Sequence, residues 1–405
     1  MLRARPQPLF LFALLQKRDL FAILTRRWHH PALSILSESN SMFNRIPFDK
    51  INWKTSLFLI GTLVLALTAV PLYIWRFGLS WFQIAFFWVM VAFTGFSITL
   101  GYHRLFSHLS FKAHWSVRLF TLIFGAAAFE NSVLMWACEH RRHHKHVDHE
   151  EDPYDISKGF FHAHIGWLLF KLQPEPPYDN VADLQRDRLV MFQHRFINSL
   201  AILVSFVMPT LVGWAWGGAS CALGSFLLAG VARVVFVQHC TFFINSACHT
   251  VGDRPYSSKC SARDSWLMAL FTFGEGYHNY HHEFQHDYRN GVKPWQFDPT
   301  KWLIWTLNKL GLADSLRRVP DQKILLAELA ETQRRLQSKL VSVEPSSAIH
   351  EMLEAAYTRL QEVANSWSEY KEAEMEITRE MLIELRREVR QAIAQLRQIG
   401  SAELA

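Results

Sequence analysis

Four apolar runs dominate the middle of the chain. They occupy residues 55–75, 81–102, 198–216 and 219–237. Each run is long enough to cross about 30 Å of hydrocarbon as a helix. Only residues 76–80 separate the first two runs and only Gly217-Gly218 separates the last two, so each pair is predicted to form a hairpin. The pattern predicts an all-α integral membrane protein with four transmembrane helices. Arg233 lies inside the fourth run, either at its aqueous end or facing the interior of the bundle.

The polar segments between the runs indicate which way the hairpins face. Because two crossings return the chain to its starting side, the segments before, between and after the hairpins share one face. Residues 102–197 carry eleven Lys and Arg residues, whereas the hairpin loops carry only Arg76. The positive-inside rule therefore places these segments and both termini in the cytoplasm, and the expected location is a bacterial inner membrane. The net charge of +6 and the pI of about 9.0 indicate contact with anionic lipid or substrate, without a nucleic-acid partner.

The two ends of the chain differ from its apolar middle. Residues 1–44 hold short apolar clusters broken by charges, without the continuous run and cleavage site of a secretory signal, and translation from Met42 is one hypothesis. Residues 45–312 are predicted to form the membrane domain. In residues 313–405, apolar positions recur every three or four residues amid mixed charge, which predicts a C-terminal extension of amphipathic, coiled-coil helices with cytosolic exposure.

Histidine is concentrated near the spans. Seventeen of the twenty histidines lie between positions 103 and 286, and eight of them form three boxes: His103-x4-His108, His140-x2-His143-His144 and His278-x2-His281-His282. On an α-helix, positions three and four residues after a first one return to within about 60° of it. Each HxxHH box is therefore expected to aim its three imidazoles in one direction. The five-residue step of the first box does not return to one face, so this pair needs a distorted helix end or a long reach.

These boxes predict a metal centre in a helical cap over the spans. Imidazole is a neutral ligand for iron, zinc, copper and nickel, and eight imidazoles exceed what one ion uses, which favours two metals. The five cysteines stand singly without a CxxC pair, which gives no support to a cysteine-based zinc or iron–sulfur module. A structural role is assigned to other histidines: His146, His149, His162, His164, His194, His239 and His286.

Boxes of this type around paired hairpins resemble the membrane fatty-acid desaturases. Within that family, the chain resembles the stearoyl-CoA desaturases, which form a cis double bond at carbon 9. The agreement extends beyond the histidines to residues 101–108, 159–161, 164–169, 245–249, 274–282 and 287–291. The resemblance covers roughly residues 45–312.

The resemblance implies a di-iron (Fe2+) centre held by nine histidines. The implied ligands are His103, His108, His140, His143, His144, His249, His278, His281 and His282. The choice of His249 over His239 rests on the resemblance alone, and Asn245 matches an asparagine that holds a metal-bound water. The implied reaction uses O2 and two electrons to remove hydrogens from neighbouring methylenes, giving an alkene and water. A bent apolar tunnel would hold the acyl chain in position.

Five further residues are candidates for substrate contact: Asn131, Trp136, Glu139, Thr241 and Lys171. By the resemblance Trp136 and Thr241 line the bend of the tunnel, although ordinary packing would explain either residue. The other three match positions at the acyl-CoA entrance. There, however, Leu172 replaces the second residue of a basic pair and Cys138 replaces an arginine. Fewer cations leave the acyl donor open between acyl-CoA and another acyl lipid.

Two other functions remain as alternatives. A membrane hydroxylase with the same metal site would begin with the same hydrogen abstraction, but its boxes are spaced differently and it lacks the Asn-Ser-x-x-His segment. A metal-binding or metal-transporting membrane protein would need ionisable residues within the spans, and the first three runs have none. A desaturase would take electrons from an external ferredoxin-like or cytochrome-like donor. Arg141, Arg142 and Lys145 would either dock that donor or be positive-inside charge.

Overall fold

The computed structural model describes residues 48–172, 176–342 and 348–372, together with part of 378–394. The predicted N-terminal segment, residues 1–44 including Met42, lies outside this range. Residues 48–51 belong to the first of two units, Met1–Ile51, and Phe48–Lys50 forms a 3₁₀ turn. Everything described from Asn52 onward belongs to one mostly helical unit.

The first predicted hairpin consists of two long apolar helices. Helix α1 spans Trp53–Phe77, and helix α2 spans Trp81–Phe96 and continues as a π-helix over Ser97–Ser107. Ser80 begins α2 with a reciprocal capping box, because its hydroxyl accepts from the Gln83 backbone while the Gln83 side chain accepts from the Ser80 backbone. The most apolar window of α1 is only 22% buried, as expected for a helix whose outer face meets lipid.

The segment between the hairpins is built from shorter helices. Helix α3 spans Trp115–Ala126 and α4 spans Val133–His146, followed by a 3₁₀ turn at Ile156–Lys158 and a π-helix at His162–Gly166. The next helices are α5 at Trp167–Leu169, α6 at Ala182–Gln185 and α7 at Arg188–Arg195. Helix α4 starts at a defined point because the Ser132 hydroxyl accepts a hydrogen bond from the Met135 backbone.

The second apolar pair is one helical segment of 53 residues, Ile197–His249, that breaks in its middle. It comprises α8 (Ile197–Ile202), a π-helix (Leu203–Val207), α9 (Met208–Ser225), a second π-helix (Phe226–Ala232), α10 (Arg233–Asn245) and a 3₁₀ turn (Ala247–His249). Gly218 has φ of +70°, a left-handed conformation that favours glycine. Across this break the chain folds back, since a Cβ at Gly230 would lie 2.8 Å from the Ser205 carbonyl oxygen.

Among the described residues, three helices are therefore long and apolar enough to cross a membrane, and the third is a hairpin rather than a rod. Arg233 faces the interior of this bundle. Its side chain is fully buried, Nε donates to the Ala229 carbonyl, and Nη1 donates to the Ala127 carbonyl at 2.6 Å. Because Ala127 ends α3, the guanidinium closes the C-terminal end of that helix.

The remaining elements cover the side of the spans where the histidines lie. Helices α11 (Trp266–Phe271), α12 (His278–Glu283) and α13 (Pro299–Lys309) precede β2 (Ala313–Asp314), which pairs antiparallel with β1 (Lys112–Ala113). Helices α14 (Asp321–Ser342) and α15 (Ala348–Glu372) pack through a leucine-rich seam. Helix α14 also rests on the loop before α11, because Glu331 accepts a hydrogen bond from Ser258 at 3.0 Å. The domain boundaries drawn at 45–312 and 313–405 stay predictions.

Candidate metal centre

Nine buried or half-buried histidines lie together in two neighbouring groups. The first group is His103, His108, His140, His144 and His281; the second is His143, His249, His278 and His282. Within each group, each histidine contributes one ring nitrogen, and these nitrogens all lie within 4.8 Å of one another. The groups adjoin, since the rings of His144 and His282 stack with centroids 4.3 Å apart. These are the nine histidines that the resemblance implies as ligands.

The π-helix at the end of α2 explains how the first box meets in space. In a π-helix the backbone bonds between positions five residues apart, and the backbone N–H of His108 donates to the His103 carbonyl at 3.1 Å. The two imidazoles consequently lie with ring centroids 4.7 Å apart. The five-residue spacing is thus met by helical turns that each contain one residue more than an α-helical turn.

Each HxxHH box brings its three imidazoles close together, with ring centroids at most 6.0 Å apart, but divides them between the two groups. His140 and His144 enter the first group, while His143 enters the second. The other box divides in the opposite sense, with His281 in the first group and the remaining pair in the second. Adjacent positions on a helix differ by about 100°, so neighbouring histidines point to opposite sides of the common direction. Each box therefore contributes to both groups.

The distances within the groups fit a bound cation. Opposed Nε2 atoms are 2.8 Å apart for His108 and His140, 3.0 Å for His103 and His281, and 3.1 Å for His278 and His282. Metal–imidazole bonds of about 2.1 Å at right angles place ligand nitrogens about 3 Å apart. His249 Nε2 is buried with no hydrogen-bond partner although it points into the second group. A metal ion in each group would accept the lone pairs of these facing Nε2 atoms.

Burial also keeps the cluster in the form that binds metal. Desolvation, and then repulsion from neighbouring imidazoles, lowers the pKa of His140, His144, His278 and His282 well below the ordinary histidine value. The imidazoles are therefore neutral at pH 7, as metal ligation requires. The site can hold metal without first releasing protons from these rings.

Three side chains orient histidines of the cluster, and the sequence had not identified them. Glu275 Oε2 lies 2.8 Å from His103 Nδ1, Asp152 Oδ1 lies 2.8 Å from His143 Nδ1, and Ser261 Oγ lies 2.7 Å from His249 Nδ1. An acceptor at Nδ1 fixes the tautomer and presents the Nε2 lone pair to a metal. The sequence gives only a weak indication of this role for Glu275. It stands three residues before His278, but the histidine that it contacts, His103, lies in another box.

Glu275 is itself held by a buried ion pair. Arg104 donates to Glu275 Oε1 at 2.8 Å, to Asp298 Oδ1 at 3.0 Å, and to the Tyr288 carbonyl at 2.8 Å. Burial alone would raise the pKa of Glu275, but the Arg104 charge and the His103 hydrogen bond hold that pKa below its ordinary value. The carboxylate therefore stays ionised beside the first histidine group.

Other histidines have partners within the protein. His164 Nε2 lies 3.0 Å from His239 Nδ1, His194 Nδ1 lies 2.6 Å from the Ser132 hydroxyl, and His286 Nδ1 lies 2.9 Å from the His108 carbonyl oxygen. His239 is thus placed away from both groups, whereas His249 lies inside the second. Sequence spacing alone had not separated these two positions.

A cavity of about 1320 Å³ leads to the first histidine group. Phe58, Leu59, Ile98, Phe129 and Phe206 give it an apolar wall. At its inner side it reaches His103 and His140, together with Asn245 at the end of α10. Its volume exceeds that of most small-ligand sites, and it has room for a long apolar chain.

All five candidate substrate residues line this cavity: Asn131, Trp136, Glu139, Thr241 and Lys171. The Trp136 ring stacks on the His140 ring with centroids 4.7 Å apart, so it adjoins the metal centre. Burial raises the pKa of Glu139 to about 7. Lys171 is exposed, as are Lys54 and Lys158, and these lysines line the cavity together with the exposed Glu150 and Glu151.

A helical protein with long apolar helices, and with a histidine cluster that could hold metal beside an apolar cavity, has identifiable relatives. A model of the fatty acid desaturase family matches residues 79–309, more than half of the chain. The chain is 38% identical over 309 residues to acyl-CoA desaturase 1 of Saccharomyces cerevisiae, covering 73% of this chain and 59% of that protein. It is 38% identical over 288 residues to a probable acyl-CoA desaturase of Schizosaccharomyces pombe, covering 71% and 59%.

A mammalian relative is matched over more of its own length. The chain is 37% identical over 277 residues to human stearoyl-CoA desaturase, covering 67% of this chain and 74% of that protein. By contrast, the chain spans only about three fifths of the two yeast relatives. The chain belongs to the fatty acid desaturase family.

Proposed function

We propose that this protein is an O2-dependent fatty-acyl desaturase that introduces a cis double bond, at carbon 9, into a saturated chain. One observation carries the proposal: an apolar cavity with room for a long acyl chain ends against His103 and His140 of a nine-histidine cluster. A reaction at an unactivated methylene needs the chain held beside an oxidising centre in a near-attack geometry. The names of the relatives in the yeasts and in humans agree with this activity.

The cluster is proposed to hold two Fe2+ ions, one in each histidine group. His103, His108, His140, His144 and His281 would bind one, and His143, His249, His278 and His282 would bind the other, with Asn245 acting through a water. Such a centre supplies the activation of O2 for removal of hydrogen from the acyl chain. An all-imidazole donor set suits iron and other borderline metals, whereas thiolate ligands select softer metals.

The chain's own residues would orient the substrate and exclude water. The apolar wall of the cavity would surround the acyl chain of the substrate. Trp136, stacked on His140, would set how close the acyl chain comes to the metal centre. Thr241, on α10, lines the same cavity. Shape must select the reacting carbon, because a methylene offers no polar group for recognition.

Acyl-CoA is the proposed acyl donor. The relatives are named for acyl-CoA or stearoyl-CoA, and Lys54, Arg142, Lys158 and Lys171 all line the cavity, where cations can meet phosphate groups. Cys138, which replaces an arginine of the resembling enzymes, is 1% exposed. These cations would act in place of that arginine.

The proposed topology has four crossings, with the break at Gly217-Gly218 as the turn of the second hairpin. The histidine cluster and both termini would then lie in the cytoplasm, and the bacterial inner membrane stays a prediction. An external donor would supply the electrons. Arg141 is a poor docking group, because it donates to the Ser107 and Phe106 carbonyls and pairs with Asp183. Lys145 is exposed and remains available for that role.

Product analysis tests the proposal. The chain is expressed in a desaturase-deficient host supplied with saturated fatty acids, and double bonds are located by mass spectrometry. A cis-9 product that disappears in His143→Ala and persists in His146→Gln supports the desaturase. A hydroxy acid would assign the chain to the hydroxylase alternative. The absence of any product from a metal-loaded protein with a working electron donor would contradict both activities.

A further inference from the structure

The C-terminal extension contacts a loop that also reaches the second histidine group. The contact is made by α14, and the loop comprises residues 253–264, just before α11. Two backbone hydrogen bonds between Asp253 and Asp264, of 3.0 and 2.7 Å, close the ends of this loop. The residues between them, all of which the structure describes, form neither helix nor strand. Contacts from other parts of the chain must therefore fix the shape of the loop.

Ser261 is the residue of the loop that reaches the metal centre. Its hydroxyl lies 2.7 Å from His249 Nδ1, and the Asp148 carboxylate accepts from both the hydroxyl and the backbone N–H of Ser261. A hydroxyl has one proton and a carboxylate only accepts, so Ser261 donates to Asp148 and accepts the Nδ1 proton of His249. This tautomer directs the Nε2 lone pair of His249 into the second group. The position of Ser261 consequently controls the aim of His249.

Asn279 attaches the loop to the third histidine box. Its side-chain oxygen accepts from the backbone N–H groups of Tyr256 and Ser257 at 2.9 and 3.2 Å. Its side-chain nitrogen donates to the carbonyls of Ser257 and Ala262 at 2.6 and 3.0 Å. Asn279 is fully buried and directly follows His278, a member of the second group. A displacement of the loop therefore acts on the second group at His249 and at this box.

Helix α14 holds the loop at two points. Ser258 donates to Glu331 Oε2 at 3.0 Å. Arg335 donates to Glu331 Oε1 at 2.9 Å and also to the carbonyl of Arg254. Glu331 is only 6% exposed, so water does not readily replace these partners. The two points of attachment stand three and seven residues before Ser261 in the same loop.

An apolar contact adds to this attachment. Ile324 of α14 packs with Tyr256 of the loop and Tyr280 of the third box, and all three side chains are buried. Tyr280 directly precedes His281 and His282. Aromatic side chains of this size contribute much of the packing energy where they are buried. Helix α14 thus packs against both segments that carry residues of the second group's surroundings, the loop and the third box.

We propose that α14 is a positioning element for the second histidine group, in which Glu331 and Arg335 hold the loop so that Ser261 keeps His249 aimed at the metal. The inference rests on the proposed two-iron centre. It assigns a role to the C-terminal extension, which lies outside the residues matched by the family model. The first group takes its orientation from Glu275 instead. Tight binding of the second iron alone therefore depends on the contact between α14 and the loop.

The test measures iron affinity by chelator competition on the full-length protein in detergent. Glu331→Ala removes the acceptor of Ser258 and the partner of Arg335. It is expected to weaken the binding of one iron about tenfold, the lower end of the effect of losing a residue that orients a ligand. The other iron should bind as in the native protein. Glu354→Ala makes the same chemical change at an exposed position of α15 and should leave both irons unaffected.

Variants that keep one histidine group intact show which iron is affected. His108→Ala is expected to keep iron in the second group, and His282→Ala is expected to keep iron in the first. Adding Glu331→Ala should weaken the remaining iron about tenfold in the His108→Ala protein and leave it unchanged in the His282→Ala protein. Equal weakening in both proteins would show that α14 only stabilises the fold, and it would overturn the positioning role.

A further combination tests whether Glu331 acts through Ser261. Ser261→Ala removes the acceptor of His249 Nδ1 and is expected to weaken the second iron by itself. Because both changes would then act on one hydrogen bond, adding Glu331→Ala to Ser261→Ala should cause at most about a twofold further loss. If the two losses multiply instead, the route through Ser261 is wrong.

Failure of this inference is distinct from failure of the proposed function. Iron affinity is measured without turnover. A protein whose second iron responds to Glu331→Ala as expected, but which forms no double bond, would contradict the desaturase activity and support the role of α14. Native affinity for both irons in Glu331→Ala would overturn the role of α14, even where the native protein forms the cis-9 product.

Discussion

Glu275 Oε2 lies 2.8 Å from Nδ1 of His103, and both side chains are buried. The other oxygen of the carboxylate accepts from Arg104. A glutamine at this position would present its NH2 group either to the imidazole N–H or to the guanidinium, both of which are donors. Glu275→Gln is expected to lower the free energy of unfolding by about 3 kcal/mol and metal affinity by about 10- to 100-fold.

Thermal melting in detergent and metal analysis would measure these two effects. Glu283→Gln, at the end of the same helix as the third box, makes the same chemical change away from the Arg104 ion pair. The control should leave both quantities near the native values. A Glu275→Gln protein with native metal content would contradict the orienting role of this carboxylate.

Metal content tests whether the two histidine groups bind separate ions. His108→Ala removes a ligand from the first group, and His282→Ala removes one from the second. Because each group would lose one of its few ligands, each variant is expected to retain about one iron where the native protein holds about two. His146→Gln, on the same helix as the second box but in neither group, should retain both. Full iron content in either alanine variant would refute the assignment of that group.

Trp136 should control where the double bond forms. Its ring lines the cavity and stacks on the ring of His140, which lines the cavity too. Trp136→Ala would open space beside the metal centre, so we expect several bond positions and an activity reduced by about 10- to 100-fold. The position of the double bonds by mass spectrometry is the measurement. Trp305→Ala removes the same side chain from an exposed surface, 52% accessible, and should leave the product unchanged.

A close contact between the two hairpins should make Gly224 sensitive to substitution. A Cβ at Gly224 would lie 2.1 Å from Gln83 Nε2 and 2.3 Å from the Tyr73 hydroxyl. That hydroxyl donates to the Ser220 carbonyl and accepts from Gln83, and Gly224→Ala would force these groups apart. We expect a loss of about 1–3 kcal/mol in stability, measured by thermal melting in detergent.

Gly61→Ala is the matched control for Gly224→Ala. Gly61 also lies in a long apolar helix, but nothing lies within 4 Å of a Cβ built there. Alanine is the better helix former, so this substitution should leave the melting temperature unchanged or raise it. Equal destabilisation by both variants would show that the close approach at Gly224 is not the cause.

Local sequence patterns predicted much of the fold. The uncharged run of α1 and the short polar loop before α2 gave the first hairpin, because helix length and lipid exposure depend on neighbouring residues alone. Gly217-Gly218 predicted the turn of the second hairpin in the same way. The five-residue spacing of His103 and His108 predicted either a distorted helix end or a long reach, and the structure has the first of these, a π-helix.

Long-range packing decided the rest of the site. Whether His239 or His249 joins the cluster depends on where α10 ends relative to the loop that carries Ser261. The pattern of residues within one segment does not determine how far apart these two segments lie. The same holds for Glu275, whose nearest sequence neighbour among the boxes is His278 but whose partner is His103.

By itself, the sequence determined that the chain has apolar helical hairpins and clustered imidazoles with metal-binding spacing, since both follow from the chemistry of consecutive residues. Only the tertiary structure decided how those imidazoles divide into two groups, because the 100° step between neighbouring helical positions directs His143 and His144 to opposite sides. It also decided that Glu139 lines the cavity with its pKa raised to about 7, since the charge state of a carboxyl depends on what the whole fold packs around it.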